Sequence, residues 1–260
     1  MRPDPHLFLS LRDPAVRASS QLHTVEGVRF VHAAAAAGRL RGLLTSPVLL
    51  RSVPGRQLLR AQRRLGLPVV EVTPEEYRAV STERRASGLM GVCALPDAAL
   101  PDRPRGAFLV VRSIRTPGNL GTLIRSAASL GGAGLVVLGG GSDPYDPDVV
   151  RASMGAVFDL PVVRCSVRTL GRWARARGVP LLAAEPDGGR VLGRDPLPEA
   201  VAVVLGDERD GVSPEDRRWC TGSLAIPMVA GPGSLNVAQA GTVVLWEACR
   251  GRALRERRVQ

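Results

Sequence analysis

The 260-residue sequence contains no lysine, so all 35 of its basic residues are arginines. A phosphate loop of the GxxxxGK type needs a lysine, and its absence excludes nucleotide hydrolysis of that kind. The arginines outnumber the 24 acidic residues and give a formal charge of +11. Such a charge favours, by a modest margin, a polyanionic partner such as nucleic acid over a basic, soluble surface that binds nothing.

The sequence also lacks the usual patterns of metal sites and disulfide frameworks. The three histidines, the last of them His32, all lie near the N-terminus. The cysteines are far apart and form no CxxC pair: Cys93, Cys165, Cys220 and Cys249. We therefore expect buried free thiols and no metal, and a serine–histidine–aspartate triad is not expected either.

No apolar run approaches the roughly 20 residues that a membrane-spanning helix needs. The N-terminal MRPDPHLFLSLRDP has only a short apolar segment interrupted by prolines, which does not fit a signal peptide. With 45% hydrophobic residues, the chain can form a sizeable core. These features predict a cytoplasmic globular protein.

Residues 96–106, PDAALPDRPRG, are rich in proline and poor in core residues, which indicates a linker. We therefore expect a smaller α/β domain over residues 1–95 and a larger one over residues 107–260. Residues 1–104 hold 15 arginines against 9 acidic residues, and residues 105–260 hold 20 against 15. The denser positive charge favours the first domain as the part that grips a partner.

The second domain alternates apolar segments, such as AFLVVRSI and EAVAVVLG, with segments of helical spacing. Strands this apolar are typical of a parallel sheet that helices cover on both faces. Ligands of such sheets bind beyond the carboxyl ends of the strands. Two predicted strand exits carry glycines and polar residues, namely residues 116–125 (TPGNLGTLIR) and 205–212 (LGDERDGV).

The third strand exit lies in residues 223–250. A predicted strand from Leu224 to Met228 leads into a tight loop at Gly231, Pro232 and Gly233, and Ser234 is the expected N-cap of a long helix. Taken alone, this stretch is compatible with an ordinary strand–turn–helix. Three such exits together favour a ligand pocket.

The order PGNLGTLIRSA, VVLGDERDGVS and IPM followed by SLNVA resembles the three motifs of the SpoU, or TrmH-type, branch of the SPOUT RNA methyltransferases. RASMGAVFDLPVV is similar to a segment that the family carries between its first and second motifs. The resemblance covers roughly residues 105–250, with four segments in order. Residues 24–95 are similar, more weakly, to the L30e-like substrate-binding domain that often precedes it.

The resemblance implies an α/β-knot, in which a parallel sheet ends in a trefoil knot that holds S-adenosylmethionine, and a homodimer. By motif position, the cofactor-binding residues would be Leu205, Gly206, Gly211, Ile226, Met228, Ser234 and Leu235. The residues lining the catalytic centre would be Asn119, Arg125, Glu208, Ser234 and Asn236.

The implied reaction is methyl transfer to a ribose 2′-hydroxyl of RNA, with 23S ribosomal RNA as the expected substrate. Transfer RNA and self-resistance to a ribosome-targeting antibiotic are alternatives. Arg125 is often assigned as the base in this family, but an arginine effectively never deprotonates in a protein. Positioning a hydroxyl or phosphate fits its chemistry better, and Glu208 could orient it. A structural ion pair between the two is the alternative.

Two other classes of function remain open, an RNA-binding protein without catalysis and a small-molecule methyltransferase. The sequence also departs from the family pattern at three positions. Thr116 stands where an aspartate is common, Gly233 where an acidic residue is frequent, and Ala238 where a serine is frequent. These departures leave the expected catalytic groups in place but bear on hydrogen bonding and on the choice of substrate.

Overall fold

The computed structural model describes residues 3–207, 210–229 and 234–257. The described chain forms two compact units. The first contains the residues up to Asp97 together with Asp143–Phe158, and the second contains Ala98–Ser142 and the residues from Asp159 onward. The domain limits expected from composition stay a prediction. They differ from these units in residues 143–158, which pack with the first unit.

The first unit contains a four-stranded mixed sheet. Its strands are β1 Leu22–Glu26, β2 Leu40–Thr45, β3 Val69–Glu71 and β4 Leu89–Ala94. They lie in the order β1-β4-β2-β3, with β2 and β3 parallel and the other two pairs antiparallel. Its helices are α1 Pro5–Ser10, α2 Pro14–Ser20, α3 Val28–Ala36, α4 Val53–Arg64, α5 Pro74–Val80 and α7 Pro147–Ala152, followed by a short 3-10 helix at Ala156–Phe158.

Side-chain caps define where several of these helices begin. Asp4, Asp13, Ser52 and Thr73 each accept a hydrogen bond from a backbone N–H of the first turn, and a proline stands at the start of each helix. The cap satisfies a donor that has no partner inside the helix, and proline lacks the N–H that would be unpaired there. These local signals explain why short helices form between the strands.

A buried ion pair and a ring cluster hold residues 143–158 in the first unit. Arg17, only 2% exposed, donates from Nε to Asp143 Oδ2 at 2.7 Å. The His23 ring lies 5.1 Å from the Tyr145 ring and 5.7 Å from the Phe158 ring, measured between centroids. Burial of Arg17 is tolerable because its guanidinium is paired and also donates to backbone carbonyls.

The second unit contains a seven-stranded sheet. Its strands are β5 Gly106–Arg112, β6 Gly134–Leu138, β7 Val162–Cys165, β8 Leu181–Ala184, β9 Arg190–Val191, β10 Ala200–Leu205 and β11 Gly222–Ala225. They lie in the order β7-β6-β5-β10-β8-β11-β9, and every neighbouring pair is parallel. Its helices are α6 Pro117–Leu130, α8 Val167–Arg177, α9 Pro214–Arg217 and α10 Val237–Arg257. The predicted α/β fold with a parallel sheet is therefore confirmed, whereas the knot and the L30e-like domain stay predictions.

Helix α10 packs directly on α6 and β10. A Cβ atom added at Gly241 would overlap a methyl group of Leu123 and lie 2.9 Å from Leu205 Cδ1. The hydroxyls of Ser126 and Thr242 are hydrogen-bonded across the same contact at 2.8 Å. The small residue therefore allows α10 to approach the sheet and α6 closely.

No disulfide joins any of the four cysteines; Cys93 and Cys249 are buried, and Cys165 and Cys220 are half-buried. Burial raises the pKa of the Cys220 thiol to about 11. Among the described residues, no helix is both long enough and apolar enough to cross a membrane.

Stability of the first unit should depend on pH through His23. Burial lowers the pKa of His23 to about 4, although Asp143 acts in the opposite direction. The unfolded chain therefore takes up this proton at a higher pH than the folded one, and stability falls as pH drops from about 6.5 towards 4, by roughly 3 kcal/mol in total. Urea unfolding at pH 7.5 and pH 4.5 measures this loss.

The variant His23→Leu should reduce this loss, since leucine fills the site without a titrating group. Neither ring nitrogen of His23 has a hydrogen-bond partner among the described residues, so at neutral pH the variant loses ring contacts but no side-chain hydrogen bond. The comparison is therefore made on the change in stability between the two pH values. Exposed His32, replaced by glutamine, is the control and should behave as wild type. Glu26, whose pKa is raised by burial, is present in all three proteins and cancels in the comparison. An unchanged pH dependence in the leucine variant would contradict the assignment.

Candidate active site

The three predicted strand exits lie at one edge of the second unit's sheet. The strands β5, β10 and β11 are all parallel, and β10 lies directly beside β5 and beside β8, the neighbour of β11. Their carboxyl ends therefore meet at the same edge. The end of β8 joins them, which brings four separate chain segments to one place.

A cavity of about 410 Å³ opens at this edge. The apolar side chains of Leu205, Leu224 and Ile226 line it, together with the carboxylate-bearing residues Glu185, Asp207 and Asp210. All the residues that the sequence predicted to bind the cofactor line this one cavity: Leu205, Gly206, Gly211, Ile226, Met228, Ser234 and Leu235. The structure thus brings together residues that are up to 30 positions apart in the sequence.

Gly206 has no room for a side chain. The backbone N–H of Asp207 donates to the Gly211 carbonyl at 2.9 Å, and the Gly211 N–H donates back at 3.0 Å. A Cβ atom at Gly206 would overlap the backbone of Gly211 and Val212. Gly211 itself has a φ of +67°, which favours glycine. The two glycines therefore shape one wall of the cavity.

A second cavity, of about 320 Å³, lies beside the first. Gly206, Asp207, Asp210 and Val237 line both cavities. The rest of the second cavity comes from the loop after β5 and the first turn of α6, at residues 112–116 and Asn119. Its lining is mainly polar, so the two cavities differ in chemical character.

The predicted catalytic residues lie at different places around these cavities. Asn119 lines the second cavity, and its Oδ1 accepts a hydrogen bond from Asn236 Nδ2 at 3.3 Å. Ser234 lines the first cavity. Arg125 is exposed on α6, lines neither cavity and makes no hydrogen bond or ion pair with the part of the chain that the structure describes. Glu208 lies outside the described residues.

The expected N-cap of the last helix is wrong by two residues. Helix α10 begins at Val237, and Asn236 Oδ1 accepts the backbone N–H of Ala238 at 2.9 Å. Asparagine is as good a cap as serine, and the sequence pattern could not separate them. The capping role therefore passes to Asn236, and Ser234 is left exposed at the first cavity. The strand before it, β11, also ends earlier than predicted, at Ala225.

Two of the three departures from the family pattern fall within the described residues. Thr116 precedes α6 without a side-chain capping bond and lines the second cavity. Ala238 is buried, and Asn236 holds its backbone N–H. Gly233 lies outside the described residues, as do Gly231 and Pro232.

Sequence reasoning missed the contribution of β8. Ala184 ends this strand, Glu185 and Pro186 follow it, and all three line the first cavity. Glu185 Oε1 also accepts a hydrogen bond from Arg217 Nε at 3.0 Å. An acidic residue and a proline at a strand exit were the available signal. No group of histidine, cysteine and acidic residues able to hold a metal ion occurs in residues 3–207, 210–229 and 234–251.

Comparison with known proteins identifies the class to which this site belongs. Residues 106–246 match the SpoU rRNA Methylase family. The chain is 34% identical over 256 residues, 94% of its length, to a 23S rRNA (uridine(2479)-2′-O)-methyltransferase of Streptomyces viridochromogenes, of which the match covers 88%. The chain belongs to the SpoU rRNA methylase family, which confirms the resemblance seen in the sequence.

Two further relatives are informative. A 23S rRNA (guanosine(2553)-2′-O)-methyltransferase of Bacillus subtilis is 25% identical over 205 residues, which cover 78% of this chain and 82% of that protein. The crystal structure of the SpoU methyltransferase AviRb from Streptomyces viridochromogenes, in complex with AdoMet, superposes with a TM-score of 0.86 at 29% identity. That match covers 95% of this chain and 98% of AviRb.

Replacing Gly206 with alanine should destabilise the second unit. The new Cβ would have to displace backbone rather than a flexible side chain, which costs roughly 1–3 kcal/mol. Urea unfolding of the variant measures the loss. Gly140 is exposed, has no positive φ, and has no atom within 4 Å of the place where a Cβ would lie. Gly140→Ala is therefore the matched control, and its free energy of unfolding should lie within about 0.5 kcal/mol of wild type. Equal stability of the two variants would contradict the crowding at Gly206.

Proposed function

We propose that this protein transfers a methyl group from S-adenosylmethionine to a ribose 2′-hydroxyl of RNA, with 23S ribosomal RNA as the substrate. The observation that carries this proposal is the pairing of an apolar cavity, lined by all the expected cofactor residues, with a polar cavity beside it. Family membership supports the chemistry, and the activities for which the two 23S rRNA methyltransferases are named support the substrate.

The residues of the first cavity fit S-adenosylmethionine. A volume of about 410 Å³ lies in the range of small-molecule sites. Leu205, Ile226 and Leu235 offer an apolar lining that would suit an adenine ring. Asp207 and Asp210 are acidic residues of the same lining, and negative charge would suit the positively charged sulfonium. When bound, the cofactor would supply an electrophilic methyl group. The chain would hold it through the loop that Gly206 and Gly211 shape.

The remaining residues would align the acceptor and handle its proton. The Asn236–Asn119 hydrogen bond fixes the start of α10 against the start of α6, next to the second cavity. An in-line displacement needs this kind of alignment. Asp207 and Asp210 line both cavities, and a carboxylate at this place is a suitable acceptor for the hydroxyl proton. Arg125 lines neither cavity, and its motif position alone supports a role in positioning the hydroxyl or an adjacent phosphate rather than in deprotonation.

The test is incorporation of a labelled methyl group from S-adenosylmethionine into ribosomal RNA, with mapping of 2′-O-methyl sites. Wild type should label RNA, and Arg125→Ala should lower the rate about 100-fold, the size of effect that misplacing a reacting group produces. Exposed Arg168 on α8 makes no ion pair with the described chain, and Arg168→Ala is the control that should keep full activity.

Other results would point elsewhere. Binding of RNA without any label in it would indicate a binding protein. A labelled product that resists RNase would indicate a small-molecule substrate. An unchanged rate in Arg125→Ala would remove that residue from the proposed site. The target base must come from the mapping, since the two relatives are named for uridine and for guanosine.

A cytoplasmic homodimer is the assembly and location that we propose for this activity. On α10, Val243 and Trp246 are 39% and 50% exposed, one turn apart on the side away from buried Val244 and Leu245. A second copy that covers this apolar surface would remove it from water. Light scattering should give the mass of a dimer for wild type, and Val243→Arg should shift the mass towards the monomer. A monomeric wild type would contradict the proposal.

A further inference from the structure

The two cavities have an uneven distribution of charge. Two acidic residues, Asp207 and Asp210, line both cavities and so lie where the cavities meet. Arg112 and Arg115 line only the second cavity. The second cavity is therefore acidic next to the first cavity and basic along the loop that follows β5.

The two arginines are not equally available to a ligand. Arg112 donates from Nε and Nη2 to the two carboxylate oxygens of Asp216, each at 2.5 Å, and Glu215 lies 3.5 Å away. Asp216 is only 2% exposed and needs this partner. The same hydrogen bonds raise the pKa of Arg112. Arg112 is thus occupied by a structural pair.

Arg115 has no comparable partner. Its side chain is exposed, and no hydrogen bond or ion pair joins it to the described part of the chain. It stands three residues after β5, next to Thr116, whose hydroxyl makes no capping bond to α6. A planar guanidinium that is free to form two parallel hydrogen bonds suits a phosphate group.

We propose that the second cavity takes the sugar–phosphate of the target nucleotide in one orientation, with the ribose at Asp207 and Asp210 and a phosphate at Arg115. This inference rests on the proposed function. The 2′-hydroxyl has to reach the first cavity, so the ribose lies where the two cavities meet. The acidic residues there disfavour a phosphate, and Arg115 attracts it to the loop that follows β5. Arg115 is accordingly a substrate-binding residue.

Steady-state kinetics with ribosomal RNA, at saturating S-adenosylmethionine and a series of salt concentrations, test this orientation. Arg115→Ala and the longer neutral variant Arg115→Gln should raise the KM for RNA about tenfold, since each removes a charge-assisted contact. Loss of one phosphate contact should also reduce the slope of log KM against log salt by roughly 0.7–0.9. Arg115→Lys keeps the charge and should keep the slope. Binding of S-adenosylmethionine should be unchanged in all three.

Arg172→Ala is the matched control, because Arg172 is exposed on α8, unpaired within the described chain and remote from both cavity linings. It should match wild type in KM and in slope. Absence of RNA methylation by wild type would defeat the proposed function itself. With an active wild type, neutral Arg115 variants that keep the wild-type KM and slope would overturn the orientation. Weaker S-adenosylmethionine binding in these variants would also overturn it, by assigning Arg115 to the first cavity.

Discussion

Close contact of α10 with α6 and β10 is the constraint on which the site depends. It requires the residue at 241 to have no side chain, because Leu123 and Leu205 already occupy the space that a Cβ would take. Both leucines are fully or almost fully buried and cannot move aside cheaply. Since α10 begins only four residues before Gly241, this contact fixes the start of the helix relative to the ends of β10 and α6.

The hydrogen bonds at the start of α10 follow from that placement. Asn236 uses its Oδ1 to cap the helix and its Nδ2 to reach Asn119 at the start of α6. One amide thus satisfies a helix N–H and joins two segments that are 117 residues apart in sequence. An aspartate could cap the helix equally well but, when ionised, has no donor for Asn119. The requirement for an amide at this position is therefore a requirement of the site, not of the helix.

Much of this arrangement could be predicted from the sequence, because local patterns determine it. Apolar strands alternating with helices predicted the parallel sheet, and ordered motifs predicted which residues would line one cavity. What could not be predicted depends on contacts between distant residues. Residues 143–158 pack with the first unit because Arg17 and His23, on α2 and β1, meet Asp143, Tyr145 and Phe158. Nothing in the local pattern of that segment indicates these partners.

The distribution of charge at the site depends on Arg115, which lies outside the three motifs, as well as on acidic residues within them. The sequence has an excess of positive charge, yet the region between the two cavities is acidic because Asp207 and Asp210 lie there. Composition describes the whole surface, whereas binding depends on which charges are already paired. Arg112 adds no free charge because Asp216 neutralises it, and Arg115, an exposed neighbour on the same loop, remains available. The loop after β5 therefore presents one cation to the second cavity, and the distinction becomes visible only when the partner of each arginine is known.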